Sequence, residues 1–154
     1  MIGLRPARPE DAGAIRDLVR AVYAKWVPII GREPAPMLAD YEVAVREHLF
    51  ALHEADGVLV ALIEMQLEPN DLLIVNVAVA ESAQGQGLGS ALLAHAEDVA
   101  RQHGRPSVRL YTNARMEANI ALYRRRGYAE YSRDMVMGGA TTRVNMRKIL
   151  DQPV

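Results

Sequence analysis

Three glycines occupy alternate positions of the chain, Gly85, Gly87 and Gly89, between an apolar run and a long amphipathic segment. A glycine weakens a helix interior by about 1 kcal/mol relative to alanine, so glycines where a helix is about to begin need an explanation. Successive backbone N–H groups at such a place form a concave nest, and the helix dipole adds partial positive charge. The spacing therefore predicts a site for a phosphate-bearing ligand. A tight strand-to-helix turn without a ligand is the alternative, although one glycine would be enough for it.

Two common nucleotide-binding motifs do not fit these glycines. A Walker P-loop has the pattern G-x-x-x-x-G-K-[ST], and no lysine follows any of the three glycines. A dinucleotide fingerprint, G-x-G-x-x-G, would have its third glycine at Ser90, and the end of the next predicted strand has no acidic residue for a ribose. The pattern that does fit is Q-x-x-G-x-G, formed by Gln84, Gly87 and Gly89.

The elements around this motif alternate between strands and helices. The run 71–79 is nearly continuous in leucine and β-branched residues, which is typical of a strand covered on both faces. Helical spacing of apolar residues then extends to a stop at Gly104. The other predicted strands are 2–8, a hairpin around Asp56–Gly57, 107–112 and a closing pair across Gly138–Gly139, and the other predicted helices are 9–26, 38–47 and 116–126. Three prolines predict that 27–37 lacks regular structure.

Composition excludes several classes of protein. The 154 residues are enough for one domain with a sizeable core, and no uncharged apolar run approaches the ~18 residues that span a bilayer. Prolines and charges near the start do not fit a signal peptide, and the absence of cysteine suits the cytoplasm and excludes a thiolate nucleophile. A formal net charge of −1 argues against nucleic acid as a partner.

The Gln84–Gly89 motif lies between "VNVAV" and, downstream, "TNARMEANIALYRRRGY", and together these segments resemble the GCN5-related N-acetyltransferase (GNAT) superfamily. A second family signature, N-x-x-L-Y-x-x-x-G-Y, is formed by Asn119, Leu122, Tyr123, Gly127 and Tyr128. The resemblance covers the chain in order, so residues 1–154 are expected to form a single N-acetyltransferase domain. It implies an α/β (α+β) fold with a mixed, mainly antiparallel seven-stranded sheet, a V-shaped splay between strands 4 and 5, and helices on both faces.

The resemblance also implies acetyl-coenzyme A as co-substrate, without a metal, and assigns roles to individual residues. The main chain of Val77, Ala78 and Val79 should pair with the pantetheine arm like an extra strand, and one N–H there should hold the acetyl oxygen. Tyr123, with an ordinary pKa of ~10, should protonate the departing thiolate. The residues expected to bind the cofactor are Val77, Ala78, Val79, Gln84, Gly85, Gln86, Gly87, Leu88, Gly89, Ser90, Asn119 and Tyr123.

Two positions depart from the family pattern. The asparagine that commonly lies seven residues before the tyrosine is Met116 here, and the amide is at Asn119, one helical turn before Tyr123 and on the same face. A carboxylate is often found on the fourth strand just before its asparagine, and this chain has Val75 there. The fourth strand therefore does not supply the general base.

Four residues remain as candidates for that base: Glu64, His48, His53 and Tyr41. A base is needed because an alkyl amine is neutral only about one time in 10³ to 10⁴ at pH 7. Glu64 on the third strand is the expected catalytic residue, although a solvated strand edge is an equally good interpretation of its position.

Two further segments have two interpretations each. The arginines 124–126 either contact the 3′-phosphate of the cofactor or form a solvated helix face. Trp26 and the segment 29–37 either form core and loop or line the acceptor pocket, as the corresponding region does in the family.

The sequence thus predicts transfer of an acetyl group to a primary amine by direct attack in a ternary complex, because no cysteine is present to carry an acyl-enzyme. An acyltransferase for longer donors and a non-catalytic acyl-coenzyme A sensor are the alternatives. The expected partner is a small-molecule or peptide amine, without nucleic acid or membrane, and the choice between monomer and homodimer stays open.

Overall fold

The computed structural model describes residues 2–151, and a seven-stranded mixed sheet lies at its centre. The strands are β1 (Arg5–Pro6), β2 (Leu49–Ala55), β3 (Val58–Leu67), β4 (Leu72–Val79), β5 (Ser107–Asn113), β6 (Ala129–Val136) and β7 (Thr141–Ile149). They are arranged in the order β1-β2-β3-β4-β5-β7-β6. Neighbouring strands are antiparallel except β4 and β5, which are parallel.

Helices cover both faces of the sheet, as predicted. They are α1 (Ala12–Tyr23), α2 (Val27–Ile30), α3 (Ala35–Leu38), α4 (Tyr41–Glu47), α5 (Leu88–Gln102) and α6 (Glu117–Arg125). Side chains alternate between the two faces along β3: Leu62 packs in the core beneath α1 to α4, while Ala61 and Ile63 pack in the core beneath α5 and α6. Within residues 2–151, no helix is long and apolar enough to cross a membrane.

The splay between β4 and β5 is confirmed by the strand register. Only Leu72–Ile74 of β4 pair with β5. On the other side of β4, Asn76 lies opposite Glu64 and Ile74 lies opposite the next residue of β3, so Val75 is an extra residue that forms a β-bulge. A bulge bends its strand and increases the local twist. The C-terminal half of β4 therefore diverges from β5 and leaves one of its edges unpaired.

The segment 27–37 does not lack regular structure, so that prediction was wrong. It contains α2 and the first three residues of α3, and each of these helices is only four residues long. Their prolines, Pro28 and Pro36, occupy the second position of each helix, where no intrahelical N–H bond is lost. Proline excludes a helix interior, whereas these two residues lie in first turns.

Several predicted boundaries also shift. The first strand, predicted over 2–8, is reduced to β1. The helix predicted over 38–47 is divided, because Asp40 has an extended backbone and its side chain caps α4 by accepting from the N–H groups of Glu42 and Val43. The helix predicted over 9–26 has a 3₁₀ turn at each end of α1.

Candidate active site

The loop between β4 and α5 has the backbone that its glycines predict. Gly85 (φ 81°) and Gly87 (φ 78°) are both left-handed, and Gly87 is the N-cap of α5 without any side-chain cap. An added Cβ at either residue would meet no atom within 4 Å, so both face open space. Gly89 has an ordinary helical backbone, and its Cβ would only make an ordinary contact with Leu122, at 3.5 Å. The fold requires the first two glycines for their conformation but does not require the third.

A cavity of about 440 Å³, called here the donor cavity, lies between this loop, α1, β4 and α6. Its lining residues are Val22, Tyr23, Lys25, Trp26, Val77, Val79, Ala83, Gln84, Gly85, Gly87, Leu88, Gly89, Ser90, Ala118, Asn119, Leu122, Tyr123 and Arg125. All the residues predicted to bind the cofactor line it except Ala78 and Gln86. Ala78 is buried in the core on the face of α1 to α4, and Gln86 is exposed to solvent.

The unpaired edge of β4 offers backbone groups to this cavity. The N–H of Ala80 donates to a carbonyl of β3 at 2.7 Å. Because backbone groups alternate in direction along a strand, those of Val77 and Val79 point to the other side, where β5 has diverged. Both carbonyls there already accept hydrogen bonds, from the hydroxyl of Tyr23 at 3.3 Å and from Nε2 of Gln84 at 3.1 Å. The N–H groups of the two valines are donors on an edge that β5 does not cover.

Positively charged groups lie in the same cavity as these N–H groups. The first-turn N–H groups of α5 have no intrahelical acceptors, and Lys25 and Arg125 line the same cavity. Of the run 124–126, Arg125 is the member that lines the donor cavity, whereas Arg126 reaches the buried Glu97 at 3.5 Å. The donor cavity therefore has the composition of an anion site.

A second cavity of about 530 Å³, called here the acceptor cavity, shares four lining residues with the first: Tyr23, Val77, Asn119 and Tyr123. Its walls are mostly apolar and come from α1 to α4, β3 to β5, α6, and β6 and β7 with the turn between them. Segment 30–39 contributes much of one wall, whereas Trp26 lines only the donor cavity. Two cavities of different composition thus meet at one shared wall.

Tyr123 belongs to that shared wall. It is 7% exposed, and its ring packs edge-on against Tyr128 with a centroid distance of 6.3 Å. Burial raises the pKa of Tyr123 to about 12, and no hydrogen bond to another described residue opposes this shift. The hydroxyl is therefore protonated at neutral pH and available as a donor.

Glu64 lies in the acceptor cavity and is 2% exposed, so its interpretation as a solvated edge residue was wrong. The reason is that β3 lies inside the sheet, between β2 and β4. One carboxylate oxygen, Oε2, is 2.6 Å from Nδ1 of His48, which lines the same cavity. Burial raises the pKa of Glu64, and the hydrogen bond with His48 partly opposes this shift.

The two other candidate bases are differently placed. The hydroxyl of Tyr41 donates to the carbonyl of Pro36 at 2.6 Å and accepts from Nδ2 of Asn76 at 3.3 Å. Burial raises the pKa of Tyr41 beyond its ordinary value, so it stays protonated. His53 lines neither cavity, and its Nδ1 lies 2.8 Å from the carbonyl of Gly3. Only the Glu64–His48 pair combines a position in the acceptor cavity with proton-accepting capacity.

Some residues of this site were not found from the sequence. Tyr23 donates to Oδ1 of Asn76 at 2.9 Å and lines both cavities. In the sequence it is one more apolar position of α1, so no signal distinguishes it from the core. Asn76 did carry a signal, because it is a polar residue inside an otherwise apolar strand and such residues are buried with hydrogen-bond partners. Lys25 was also missed, because it lies in a 3₁₀ turn whose position beside the donor cavity depends on the tertiary structure.

The family model described as Acetyltransferase (GNAT) family matches residues 14–128. With the splayed strands and the glycine loop, this match shows that the chain belongs to the GNAT family of acetyltransferases. A search by sequence against curated proteins found no significant match. Within residues 2–151, no group of three or more histidine and acidic side chains is arranged to hold a metal ion.

Solved structures share the fold at low sequence identity. A GCN5-related N-acetyltransferase from Rhodopseudomonas palustris is 21% identical with a TM-score of 0.79, covering 97% of this chain and 96% of its own. The ribosomal-protein-S18-alanine N-acetyltransferase from Escherichia coli is 21% identical with a TM-score of 0.77, covering 100% and 97%. The PaiA N-acetyltransferase from Thermoplasma acidophilum, in complex with coenzyme A, is 20% identical with a TM-score of 0.74, covering 97% and 99%.

Proposed function

We propose that this chain, as a single domain over residues 1–154, transfers an acetyl group from acetyl-coenzyme A to a primary amine by direct attack in a ternary complex. The observation that carries the proposal is the pair of cavities that share Tyr23, Val77, Asn119 and Tyr123. Direct attack requires donor and acceptor to be bound at once, with their reacting atoms adjacent. The shared wall is the place where this can happen.

The donor cavity fits the parts of acetyl-coenzyme A. The amides from Gly85 to Ser90, with Lys25 and Arg125 beside them, suit its pyrophosphate and 3′-phosphate. The N–H groups of Val77 and Val79 lie on an unpaired strand edge and suit its amide-containing arm. One of these N–H groups would also hold the acetyl oxygen as negative charge develops on it. The structure of PaiA with coenzyme A supports this choice of co-substrate.

The acceptor cavity supplies the base. The Glu64–His48 pair takes a proton from the ammonium group, so that the neutral nitrogen can form its bond to the acetyl carbon. The pair lies 2.6 Å apart, which allows the proton charge to be shared between carboxylate and imidazole. As the new C–N bond forms, the C–S bond breaks and the sulfur leaves with the bonding electrons. The nitrogen loses its second proton to solvent, which gives the neutral amide.

Tyr123 stabilises that sulfur. A thiol has a pKa near 8.5, well below the value of about 12 to which burial raises the pKa of Tyr123. Complete transfer of the phenolic proton to the thiolate is therefore unfavourable, since a phenol is the weaker acid even in water. The hydroxyl consequently acts by donating a hydrogen bond to the sulfur, and solvent supplies the proton after coenzyme A has left. This refines the role of general acid that the resemblance implies.

An assay of coenzyme A release over a panel of amines, with the products identified by mass spectrometry, tests the proposal. We expect at least one primary amine to be acetylated, at a rate that depends on Tyr123. Binding of acetyl-coenzyme A without acetylation of any amine would favour the sensor. Faster turnover with propionyl- or butyryl-coenzyme A would favour the longer donor. We also expect a cytoplasmic location, which fractionation tests, and light scattering decides between a monomer and a homodimer.

A further inference from the structure

We propose that the acceptor is a monoamine with an apolar skeleton and an anionic group, whose ammonium lies at Glu64 and whose anion lies at Arg32. This inference rests on the proposed function and names the class of its acceptor. It follows from the distribution of charge and apolar surface in the acceptor cavity.

The cavity contains too few carboxylates for a polycation. Its acidic lining residues are Glu64 and Glu33. Glu33 is 3.4 Å from a guanidinium nitrogen of Arg20, so its charge is already matched by a cation. A polyamine or an aminoglycoside has several ammonium groups, each of which needs an acceptor when it leaves water. The carboxylate of Glu64 can serve as the acceptor for one such ammonium group.

The cavity also contains cationic groups that would repel a polycation. Arg32 and Arg143 both line it. Arg143 bonds Asp134 at 2.9 Å and lies over the ring of Tyr111 at 5.0 Å, so its charge is compensated. Arg32 is half-buried and, within residues 2–151, takes part in no ion pair. A half-buried guanidinium in a largely apolar cavity is best satisfied by a carboxylate or another planar anion.

The mouth of the cavity has an apolar rim. Leu38 and Met137 line the cavity on opposite segments, yet they remain 66% and 65% exposed. Met137 also has a left-handed backbone, with φ of 56°, which a residue other than glycine adopts at a cost of about 1–2 kcal/mol. Strained residues of this kind concentrate at ligand-binding sites. An apolar acceptor would bury part of these two side chains and would be stabilised by doing so. A strongly hydrated acceptor would not bury them and would not be stabilised in this way.

Matched pairs of amines test the anionic part of the inference. The pairs are leucine with leucinamide, 6-aminohexanoate with 6-aminohexanamide, and leucylglycine with leucylglycinamide, which vary the spacing between amine and carboxylate. Spermidine serves as the polycation. For the best pair, we expect kcat/KM for the carboxylate to exceed that for the carboxamide by roughly 10- to 100-fold, the scale of a charged hydrogen bond.

The variant Arg32→Gln separates recognition of the anion from other differences between the paired amines, such as their basicity. It should reduce the preference for the carboxylate to less than about 3-fold, because kcat/KM should fall far more for the carboxylate than for the carboxamide. Arg46→Gln, which removes the same charge from an exposed position of α4 outside both cavities, is the control and should keep the wild-type preference. Melting curves of both variants check that the fold is intact.

Each outcome has a defined meaning. Equal loss on carboxylate and carboxamide in Arg32→Gln would overturn the role of Arg32, and spermidine as the best substrate would overturn the class of acceptor while leaving the N-acetyltransferase function standing. If the wild type binds acetyl-coenzyme A and acetylates none of these amines or any other in the panel, the proposed function itself fails.

Discussion

The donor and acceptor cavities are neighbours, but they are built from different parts of the chain. The hydrogen-bond donors of the donor cavity come mainly from the backbone of the glycine loop, the first turn of α5 and the free edge of β4, and side chains of α1 and α6 complete its walls. The acceptor cavity is formed by side chains from many separate segments, between Tyr23 and Arg143. In the proposed complex, backbone groups contact the pyrophosphate and the amide-containing arm, which every acyl-coenzyme A has. Side chains decide which amine fits.

This division suggests that the two cavities can be altered separately. A change in the donor cavity should affect the affinity for acetyl-coenzyme A, and a change in the acceptor cavity should affect the KM for the amine. The hydroxyl of Tyr123, on the shared wall, should affect neither affinity but should change turnover, because the charge that it stabilises exists only during the reaction. The variants that follow test this division, beginning with the largest expected effect.

Tyr123→Phe should have that largest effect. We expect kcat to fall by roughly 10²- to 10³-fold, the scale of losing one hydrogen-bond donor to a developing negative charge, which corresponds to about 3–4 kcal/mol of transition-state stabilisation. The affinity for acetyl-coenzyme A should barely change, because the ring remains and the donor is held by backbone amides. Steady-state kinetics with the identified amine and calorimetric titration measure the two quantities. Near-normal kcat would remove Tyr123 from the mechanism.

Glu64→Gln should lower kcat/KM by about 10²-fold, within the range for a general base. In the wild type, kcat/KM should fall at low pH as the carboxylate of Glu64, whose pKa is raised by burial, becomes protonated, and the variant should lose this acid limb. Glu47→Gln, an exposed neighbour of His48 on α4, is the control and should keep the wild-type profile. An unchanged acid limb in Glu64→Gln would show that another group accepts the proton.

Although Glu64→Gln should lower the activity, it should make the fold more stable relative to the wild type as the pH rises. Burial raises the folded-state pKa of Glu64 above its ordinary value of 4.5. The protonated carboxyl is then favoured by folding, and the stability that it contributes is complete below pH 4.5 and lost as the pH rises through the folded-state pKa. Glutamine cannot ionise and therefore avoids this loss. The difference between the Tm of Glu64→Gln and the Tm of the wild type should thus become more positive from pH 4 to pH 8. Thermal unfolding at both values checks this, and a decreasing difference would contradict it.

Ser90→Glu should weaken the binding of coenzyme A in the donor cavity without affecting the acceptor cavity. Ser90 is in the first turn of α5, where a carboxylate stabilises the helix by about 0.3–1 kcal/mol. The same charge would repel the pyrophosphate, so the Kd for coenzyme A should rise by roughly 10- to 100-fold, the loss of about one charged hydrogen bond or two. Gln102→Glu, at the other end of α5, is the control.

Gly87→Val is less informative than Ser90→Glu, because it forces a β-branched residue into a left-handed backbone and would disturb folding as well as binding.

The difference between the cavities also explains what the sequence could reveal. The glycine spacing and the strand run 71–79 are local patterns, and both predicted their structures. The acceptor cavity depends on contacts between distant residues: Glu64 meets His48 across 16 positions, and Tyr23 meets Asn76 across 53. Whether β3 is an edge or an interior strand depends on pairing that no local pattern encodes. The burial of Glu64 therefore could not be predicted, whereas the donor loop could.

Met137→Ala should have the smallest effect and should be confined to the acceptor cavity. Met137 lines the mouth of that cavity and is 65% exposed, so its truncation should cost the fold little. Covering part of its side chain with an apolar acceptor would contribute about 1 kcal/mol, a fraction of the 1.5–3 kcal/mol for full burial. The KM for the amine should then rise by roughly 3- to 10-fold with kcat and donor affinity unchanged. Met135→Ala is a matched control, since Met135 lies two residues earlier, on β6, with 74% exposure and lines neither cavity. Equal effects of the two variants would mean that the rim does not contact the acceptor, and a change in donor affinity would mean that the two cavities are not independent.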